Sequence, residues 1–349
     1  MARTGSASPS LMAYERSHAN RVIDRQSIKM HSVIFDNDIG IDDAMALLLL
    51  HFAESVELLA ITTRFGNASV TDTTRNALAI KDLFGIDAPV FAGASAPLGN
   101  RLGQGFPKHV HGDNGLGNIE LPTPHSRTEV HNATKALIEI TRQTAEVIIL
   151  AVGGLTNIAL ALELDPGFAS RVKQLIIMGG AFGYNGHGGN VSPVAEANIA
   201  SDPKAADIVF RSGMTISIVG LDVTHEIIMD KPYMQNLVEQ AGAAGKFIAD
   251  SHQYYLDFHH SLSGRFECPL HDSAAVAFLL SPDLFTTTSQ PVRAVTEGIA
   301  IGQTIHSDDV REYVSSAWNG VPDSTICTGV DGPAVLALCL QILSAADGP

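Results

Sequence analysis

Apolar runs rich in β-branched residues alternate with segments of helical periodicity along most of this 349-residue chain. The run from Val147 to Val152 is typical, because an unbroken apolar segment suits a strand that is covered on both faces. Strands of this kind, separated by helices, are characteristic of a mainly parallel sheet with helices on either side. The sequence therefore predicts an α/β fold built on an open, mainly parallel sheet.

The alternation also fixes the order of the predicted elements. The strands are predicted at 31–36, 57–63, 88–92, 146–152, 174–178 and 215–220. The helices between them are predicted at 42–53, 72–84, 130–143, 155–163 and 202–212. Later come a long helical region at 234–262, strands and loops at 290–330 that we expect to form an appendage to the sheet, and a terminal helix at 332–344. No linker rich in Pro or Ser divides the chain, which favours a single large domain.

Residues 1–30 are rich in Ser, Ala and Arg and are expected to form a flexible N-terminal tail. A mitochondrial transit peptide is the alternative interpretation, and Glu15 and Asp24 count against it. The formal net charge of −15 argues against a nucleic-acid or anionic-membrane partner, and no apolar run is long enough to span a membrane. Three scattered cysteines give no disulfide framework, so a cytoplasmic location is expected.

Four carboxylates follow the apolar run 33–35 of the first predicted strand within eight positions: Asp36, Asp38, Asp42 and Asp43. Acids clustered beside a buried strand repel one another unless a cation or a proton compensates them. Because every ligand is an oxygen, the cluster favours Ca²⁺ or Mg²⁺ over zinc. Gly40 permits a sharp turn into the following helix, so the acids lie at the carboxyl end of a strand, where open α/β sheets bind ligands.

Four further segments combine glycines with polar side chains: 65–67, 109–117, 152–157 and 178–198. A fifth, 269–276, places the pair His271-Asp272 where an apolar helix is predicted to begin. Some acids in and near them have structural explanations. Asp72 and Asp202 are predicted to be helix N-caps. Asp272 has the alternative of capping its helix, and His271 that of a hydrogen-bonded core histidine.

Taken in order, these motifs resemble those of the nucleoside hydrolase family, the inosine-uridine preferring nucleoside hydrolases. The resemblance runs from about residue 31 to the C-terminus. It rests on the Asp-rich opening at 36–44, Gly66-Asn67, the His-Gly loop at 111–117, Gly-Gly-Leu-Thr-Asn at 153–157, Met-Gly-Gly-Ala at 178–181, Asn190 with 196–199, and Leu-His-Asp at 270–272. It implies a Rossmann-like fold, with residues 31–349 as the catalytic domain.

The resemblance further implies a site built around one Ca²⁺. Asp38, Asp43 and Asp272 are expected to supply carboxylate oxygens to the ion, and Val152 its backbone carbonyl. The residues expected to contact a ribonucleoside, in its ribose or its base, are Asp42, Asn67, His111, Met178, Asn190, Glu196, Asn198, Tyr255, His259 and His271. The family usually forms homodimers or homotetramers, and we expect the same here.

Hydrolysis of an N-ribosidic bond passes through an oxocarbenium-like sugar, which an anionic site stabilises. We expect Asp38 to act as general base toward the attacking water and His271 to protonate the departing base. The expected products are ribose and a free purine or pyrimidine, for example from inosine or uridine. The residues leave the preference between the two classes of base open.

Two alternatives remain open at this point. Asp36-Asn37-Asp38 is also compatible with the strand-end DxD motif of haloacid-dehalogenase phosphohydrolases, although Gly40 and the doubled Asp42-Asp43 depart from that pattern. The second alternative is a non-enzymatic protein that binds calcium or nucleosides. Assaying a panel of nucleosides for released sugar separates these three hypotheses.

Overall fold

A nine-stranded sheet lies at the centre of the computed structural model, which describes residues 29–99, 105–307 and 313–345. Its strands are β1 (His31–Asn37), β2 (Val56–Thr63), β3 (Val90–Ala92), β4 (Val147–Ala151), β5 (Val172–Met178), β6 (Ile216–Val219), β9 (Phe285–Ala294), β10 (Thr304–His306) and β11 (Asp323–Val330). Their order across the sheet is β10-β9-β11-β6-β5-β4-β1-β2-β3. The strands from β11 to β3 pair in parallel, and β9 pairs antiparallel with both β11 and β10. The predicted fold is confirmed.

Helices cover both faces of this sheet, and a separate antiparallel pair of strands, β7 (Ile228–Asp230) and β8 (Glu267–Pro269), lies outside it. The helices are α1 (Ile41–Phe52), α2 (Val70–Phe84), α3 (Lys108–His111), α4 (Ala133–Gln143), α5 (Thr156–Leu164), α6 (Phe168–Arg171), α7 (Ala197–Ser201), α8 (Pro203–Phe210), α9 (Leu221–Thr224), α10 (Lys231–Gln240), α11 (Gly242–Ser263), α12 (Asp272–Leu280) and α13 (Gly332–Ser344). The described residues from His31 onward form one compact unit. Residues 1–28 of the predicted tail lie outside the described residues.

Strand β1 shows why the central strands are apolar along their whole length. Val33 and Phe35 belong to the apolar core on one face of the sheet, and Ile34 belongs to the core on the other. Alternate side chains of a strand point to opposite faces, so a strand covered on both sides carries an unbroken apolar run. Parallel pairing aligns Asp36 with Thr62 of β2 and Ala151 of β4. The loops that follow these three strands therefore meet at one edge of the sheet.

Helix α1 begins at that edge and is buried over most of its length. It packs against both α11 and α12, although those helices are about 200 residues away in the sequence. This packing brings the start of α12, with Asp272, beside the start of α1, with Asp42 and Asp43. Two segments that are distant in the sequence thus converge on one position.

The later part of the chain differs from expectation. The predicted long helical region is two helices, which meet at Ala241 and Gly242, where Gly242 has a φ of 44°. The expected appendage at 290–330 is wrong, because β11 pairs with β6 and β9 pairs with β11, which extends the central sheet. Strand β6 would otherwise leave an unpaired edge.

The two predicted N-caps have different outcomes. Asp202 caps α8 by accepting a 3.2 Å hydrogen bond from the backbone N–H of Ala205. The prediction for Asp72 is wrong: Ser69 is the N-cap of α2 and accepts a hydrogen bond from the backbone N–H of Asp72. Within the described ranges, no helix is long and apolar enough to cross a membrane.

Candidate active site

A cavity of about 480 Å³ opens at the edge of the sheet where β1, β2, β4 and β5 end. This volume falls within the range of small-molecule sites. All ten residues predicted to contact a nucleoside line it, together with Val152 and Asp272. The structure thus brings together side chains that are spread from Asp42 to Asp272 in the sequence.

Asp38 and Asp43 are buried beneath this cavity and are fixed by hydrogen bonds. The backbone N–H groups of Asp38 and Gly40 donate to Asp43 Oδ1 and Oδ2 at 3.1 and 2.8 Å. Asn67 donates to both acids, from its backbone N–H to Asp38 Oδ2 and from Nδ2 to Asp43 Oδ2, each at 2.9 Å. These bonds hold both carboxylates in place without neutralising them.

Two glycines make room for Asp38. A Cβ on Gly66 would lie 1.5 Å from Asp38 Oδ2, and one on Gly153 would lie 2.6 Å from Asp38 Oδ1. Both distances are shorter than any normal contact, so only glycine lets the two loops close on the carboxylate. This is a physical reason for Gly66 and Gly153 in the motifs singled out from the sequence.

Carboxylate oxygens of Asp42, Asp43 and Asp272 lie within 4.8 Å of one another. The predicted ligand set contained Asp38 instead of Asp42. Asp38 lies next to the group, since its charge raises the pKa of both Asp43 and Asp272. Asp272 is the first residue of α12, and His271 rather than Asp272 occupies the N-cap position. The alternative that Asp272 serves as a helix cap is therefore wrong.

The chemistry of this cluster fits a hard divalent cation. Asp38 Oδ1 and Asp42 Oδ1 are buried and have no hydrogen-bond partner among the described residues. Burial raises the pKa of Asp38 to about 7 and, together with the neighbouring acids, raises those of Asp43 and Asp272 well above the ordinary value. A cation bound between these oxygens would supply the missing partner and offset the cost of burying them.

The opposite wall of the cavity is held rigid by Glu196. This buried carboxylate accepts hydrogen bonds from the backbone N–H groups of Asn198, Ile199 and Gly180 at 2.7, 3.0 and 2.9 Å. Asn198 Nδ2 in turn donates to the carbonyl oxygens of Val152 and Met178. Asn190 is also fixed, since its Oδ1 accepts from the backbone N–H of Ala197 at 3.0 Å.

Aromatic and imidazole rings form the outer part of the cavity. His111 stacks on Tyr255 at a centroid distance of 6.0 Å, and Tyr255 meets the edge of His259 at 4.6 Å. His271 is fixed by a 2.8 Å hydrogen bond between its Nδ1 and Thr224 Oγ1. Flat rings of this kind suit the face of a planar base.

The histidines of this wall are neutral in the protein alone. Burial lowers the pKa of His111 to about 3 and that of His259 to about 4. Burial also lowers the pKa of His271 well below its ordinary value, and the nearby histidines add to the effect. The sequence predicts that His271 protonates the departing base, and its surroundings favour an uncharged imidazole that donates one hydrogen bond.

Three residues of the site were missed by the sequence analysis. His225 lines the cavity beside His271, at a centroid distance of 5.5 Å. His252 is fully buried on α11. Burial lowers its pKa, and the nearby carboxylate of Asp42 opposes this effect only in part. Arg64 is fully buried next to the acid cluster. The position of Arg64 directly after β2 was an available signal, while His225 and His252 are placed by tertiary packing alone.

Fold and site together define an α/β enzyme with an acidic centre at the carboxyl edge of its sheet. The family model of the inosine-uridine preferring nucleoside hydrolases matches residues 33–337. Uridine nucleosidase 1 of Arabidopsis thaliana is 40% identical over 314 residues, which are 88% of this chain and 91% of the relative. The chain belongs to the nucleoside hydrolase family.

Solved structures agree with this assignment. A plant nucleoside hydrolase superposes with a TM-score of 0.85 at 34% identity, covering 91% of this chain and 99% of the other. A purine-preferring ribonucleoside hydrolase from Gardnerella vaginalis gives a TM-score of 0.82 at 31% identity, covering 90% of this chain and 98% of the other. The protein is thus a nucleoside N-ribohydrolase that acts on a small-molecule substrate. The phosphohydrolase and non-enzymatic alternatives are wrong.

Proposed function

We propose that the protein hydrolyses the N-glycosidic bond of ribonucleosides, uridine and inosine among them, with Ca²⁺ as cofactor. The observation that carries the proposal is the convergence of Asp42, Asp43 and Asp272 beside Asp38, where two buried oxygens have no hydrogen-bond partner among the described residues. The residues proposed to hold the ion are Asp38, Asp43 and Asp272 with the Val152 carbonyl; Asp42 is close enough to join them. When bound, calcium supplies positive charge that activates water and orients the ribose hydroxyls.

Asp38 acts as the general base. Its Oδ2 is held by Asn67, and its Oδ1 remains available to accept the proton of the attacking water. Asp42, Asn190 and Glu196 accept hydrogen bonds from the ribose hydroxyls. As the bond to the base breaks, positive charge develops on the sugar, and the surrounding carboxylates stabilise it.

His271 assists the departing base as a hydrogen-bond donor. We assign Nδ1 as the acceptor in its hydrogen bond with the Thr224 hydroxyl, which places the proton of the neutral ring on Nε2, where it is available for the base. Tyr255 and His259 hold the base from the side. This arrangement supports a role for His271 in leaving-group departure without requiring it to be charged beforehand.

A reducing-sugar assay on uridine, inosine, cytidine and adenosine tests the proposal. We expect ribose release from at least uridine or inosine, loss of activity with a chelator, and recovery on adding Ca²⁺. The 2′-deoxynucleosides should react at least about a hundredfold more slowly, because the groups that bind the 2′-hydroxyl would be left unpaired. Full activity in the presence of excess chelator would refute the calcium requirement.

We also infer a cytoplasmic homodimer or homotetramer. The three cysteines are all free and buried, as suits a reducing compartment. The oligomeric state is proposed from the family alone, and light scattering after size exclusion would measure it. A monomer at micromolar concentration would refute that part of the proposal.

A further inference from the structure

Arg64 is the largest fully buried side chain among the described residues. No other Lys or Arg among those residues is buried. A buried charge costs several kcal/mol unless other groups compensate it. The hydrolytic roles assigned above make no use of Arg64. Its position beside the acid cluster therefore calls for a physical explanation.

The guanidinium group is held behind the loop that follows β4. Nη1 donates to Ser201 Oγ at 3.1 Å, and Nη2 donates to Thr156 Oγ1 at 3.2 Å. A Cβ on Gly154 would lie 2.5 Å from Nη1, while one on the adjacent Gly153 would lie 2.6 Å from Asp38 Oδ1. The Gly153-Gly154 pair thus separates the cation from the carboxylate by little more than one backbone layer.

Two buried carboxylates interact electrostatically with the charge of Arg64. Asp36 and Asp38 are both buried, and the positive charge of Arg64 acts on each of them. Asp36 Oδ1 accepts hydrogen bonds from the neutral side chains of Thr62 and Asn157. Arg64, in contrast, brings a full positive charge near this carboxylate. The arginine thus offsets part of the negative charge of the buried acids from behind the Gly153-Gly154 loop.

We propose that Arg64 is a built-in counter-cation of the metal site, which stabilises the acid cluster before calcium binds and thereby weakens calcium binding. The inference rests on the proposed function, because it takes this cluster to be the calcium site. An internal positive charge attracts the carboxylates but repels an incoming divalent ion. The same charge that preserves the empty site must therefore limit its affinity.

The test is calcium affinity by isothermal titration calorimetry, together with the melting temperature in chelator and in saturating Ca²⁺. Arg64→Met should tighten the Kd for Ca²⁺ by roughly three- to tenfold. It should also lower the melting temperature in chelator more than in saturating Ca²⁺, because tighter binding contributes more stability to the loaded protein. Arg64→Lys, which keeps the charge, should bind Ca²⁺ as the wild type does.

A matched control separates the charge from its hydrogen bonds. The double variant Thr156→Val/Ser201→Ala removes two hydroxyl acceptors of Arg64 and leaves its charge in place. It should lower both melting temperatures equally and leave the Kd unchanged. A tightening as large as that of Arg64→Met would overturn the proposal, since packing rather than charge would then control affinity.

If Arg64→Met does not fold, a second comparison decides the question. Asp36→Asn alone should weaken Ca²⁺ binding, and adding Arg64→Met to it should restore the Kd by the factor given above. If the removal of Arg64 left the Kd for Ca²⁺ unchanged or raised it, in either background, the role of Arg64 would be overturned and the proposed function would stand. A wild-type protein that binds no Ca²⁺ in calorimetry would overturn both.

Discussion

The backbone N–H of Asn67 donates a 2.9 Å hydrogen bond to Asp38 Oδ2, joining the loops that follow β2 and β1. Asp38 comes directly after β1, and Asn67 lies in the loop that follows the neighbouring parallel strand β2, so the pairing of β1 with β2 brings the two residues together. One oxygen of the proposed base is thereby fixed, and the other is left without a hydrogen-bond partner among the described residues. The orientation of this carboxylate is a property of the sheet.

Gly66→Ala should disrupt the hydrogen bond between Asn67 and Asp38. The new methyl group would lie 1.5 Å from Asp38 Oδ2, so the carboxylate must rotate or the loop must move. We expect kcat/KM to fall at least about a hundredfold, since a misplaced catalytic group of this kind costs that much. Gly329→Ala is the matched control, because its methyl group would meet only Thr286 at 3.4 Å or more. Similar losses in both variants would contradict the steric explanation.

Asp38→Asn tests the base more directly. The amide keeps the size of the side chain but cannot take a proton, so kcat on uridine or inosine should fall about a thousandfold or more. Thermal unfolding should show a folded protein. The control is Asp207→Asn, which removes a carboxylate paired with Arg293 away from the cavity and should leave kcat unchanged. A kcat within a few-fold of wild type for Asp38→Asn would exclude it as the base.

The central sheet was predictable because its strands carry unbroken apolar runs, as in β4, and helices separate them. The acid cluster was predictable for a related reason: Asp36 and Asp38 continue a buried strand, where carboxylates have no inexpensive structural role. In both cases the signal is local and strong. Parallel pairing of these strands places the loops that follow them at the same edge of the sheet, so the convergence of the loops needs no further sequence signal.

What could not be predicted depends on packing between distant segments. Nothing local to His252 or His225 indicates that α11 and the end of α9 lie near the acids. The place of β11 beside β6 was missed for the same reason, since strand order beyond the first six strands is set by contacts distant in the sequence. Likewise, the low pKa of His271 follows from burial among other histidines and not from its own sequence neighbours.

His252 should make the protein more sensitive to acid. Burial lowers its folded-state pKa to about 4 against 6.5 in the unfolded chain, so below pH 6.5 the unfolded state binds the extra proton. Stability is therefore lost as the pH falls from about 6.5 toward 4, on the order of 2 kcal/mol at pH 5. In His252→Asn, whose amide can still donate to the Ile248 carbonyl, the melting temperature should fall less between pH 7.5 and pH 5. An equal fall in both proteins would refute this assignment.

Thr224→Val should impair departure of the base without disturbing the sugar site. The hydroxyl bonds His271 Nδ1 at 2.8 Å and is fully buried, so its loss leaves the ring without its orienting partner. We expect kcat on uridine to fall about tenfold, with little change in KM, because the interaction matters mainly as the bond breaks.

The choice of substrate makes that prediction specific. Activity of Thr224→Val on p-nitrophenyl riboside should stay near wild type, since p-nitrophenolate departs without protonation. His271→Ala should show the same selectivity with a larger loss, whereas Thr141→Val, which removes a buried hydroxyl bonded to Leu137 far from the cavity, should affect neither substrate. If Thr224→Val or His271→Ala slowed both substrates equally, His271 would have to act on the sugar or on the fold instead of on the departing base.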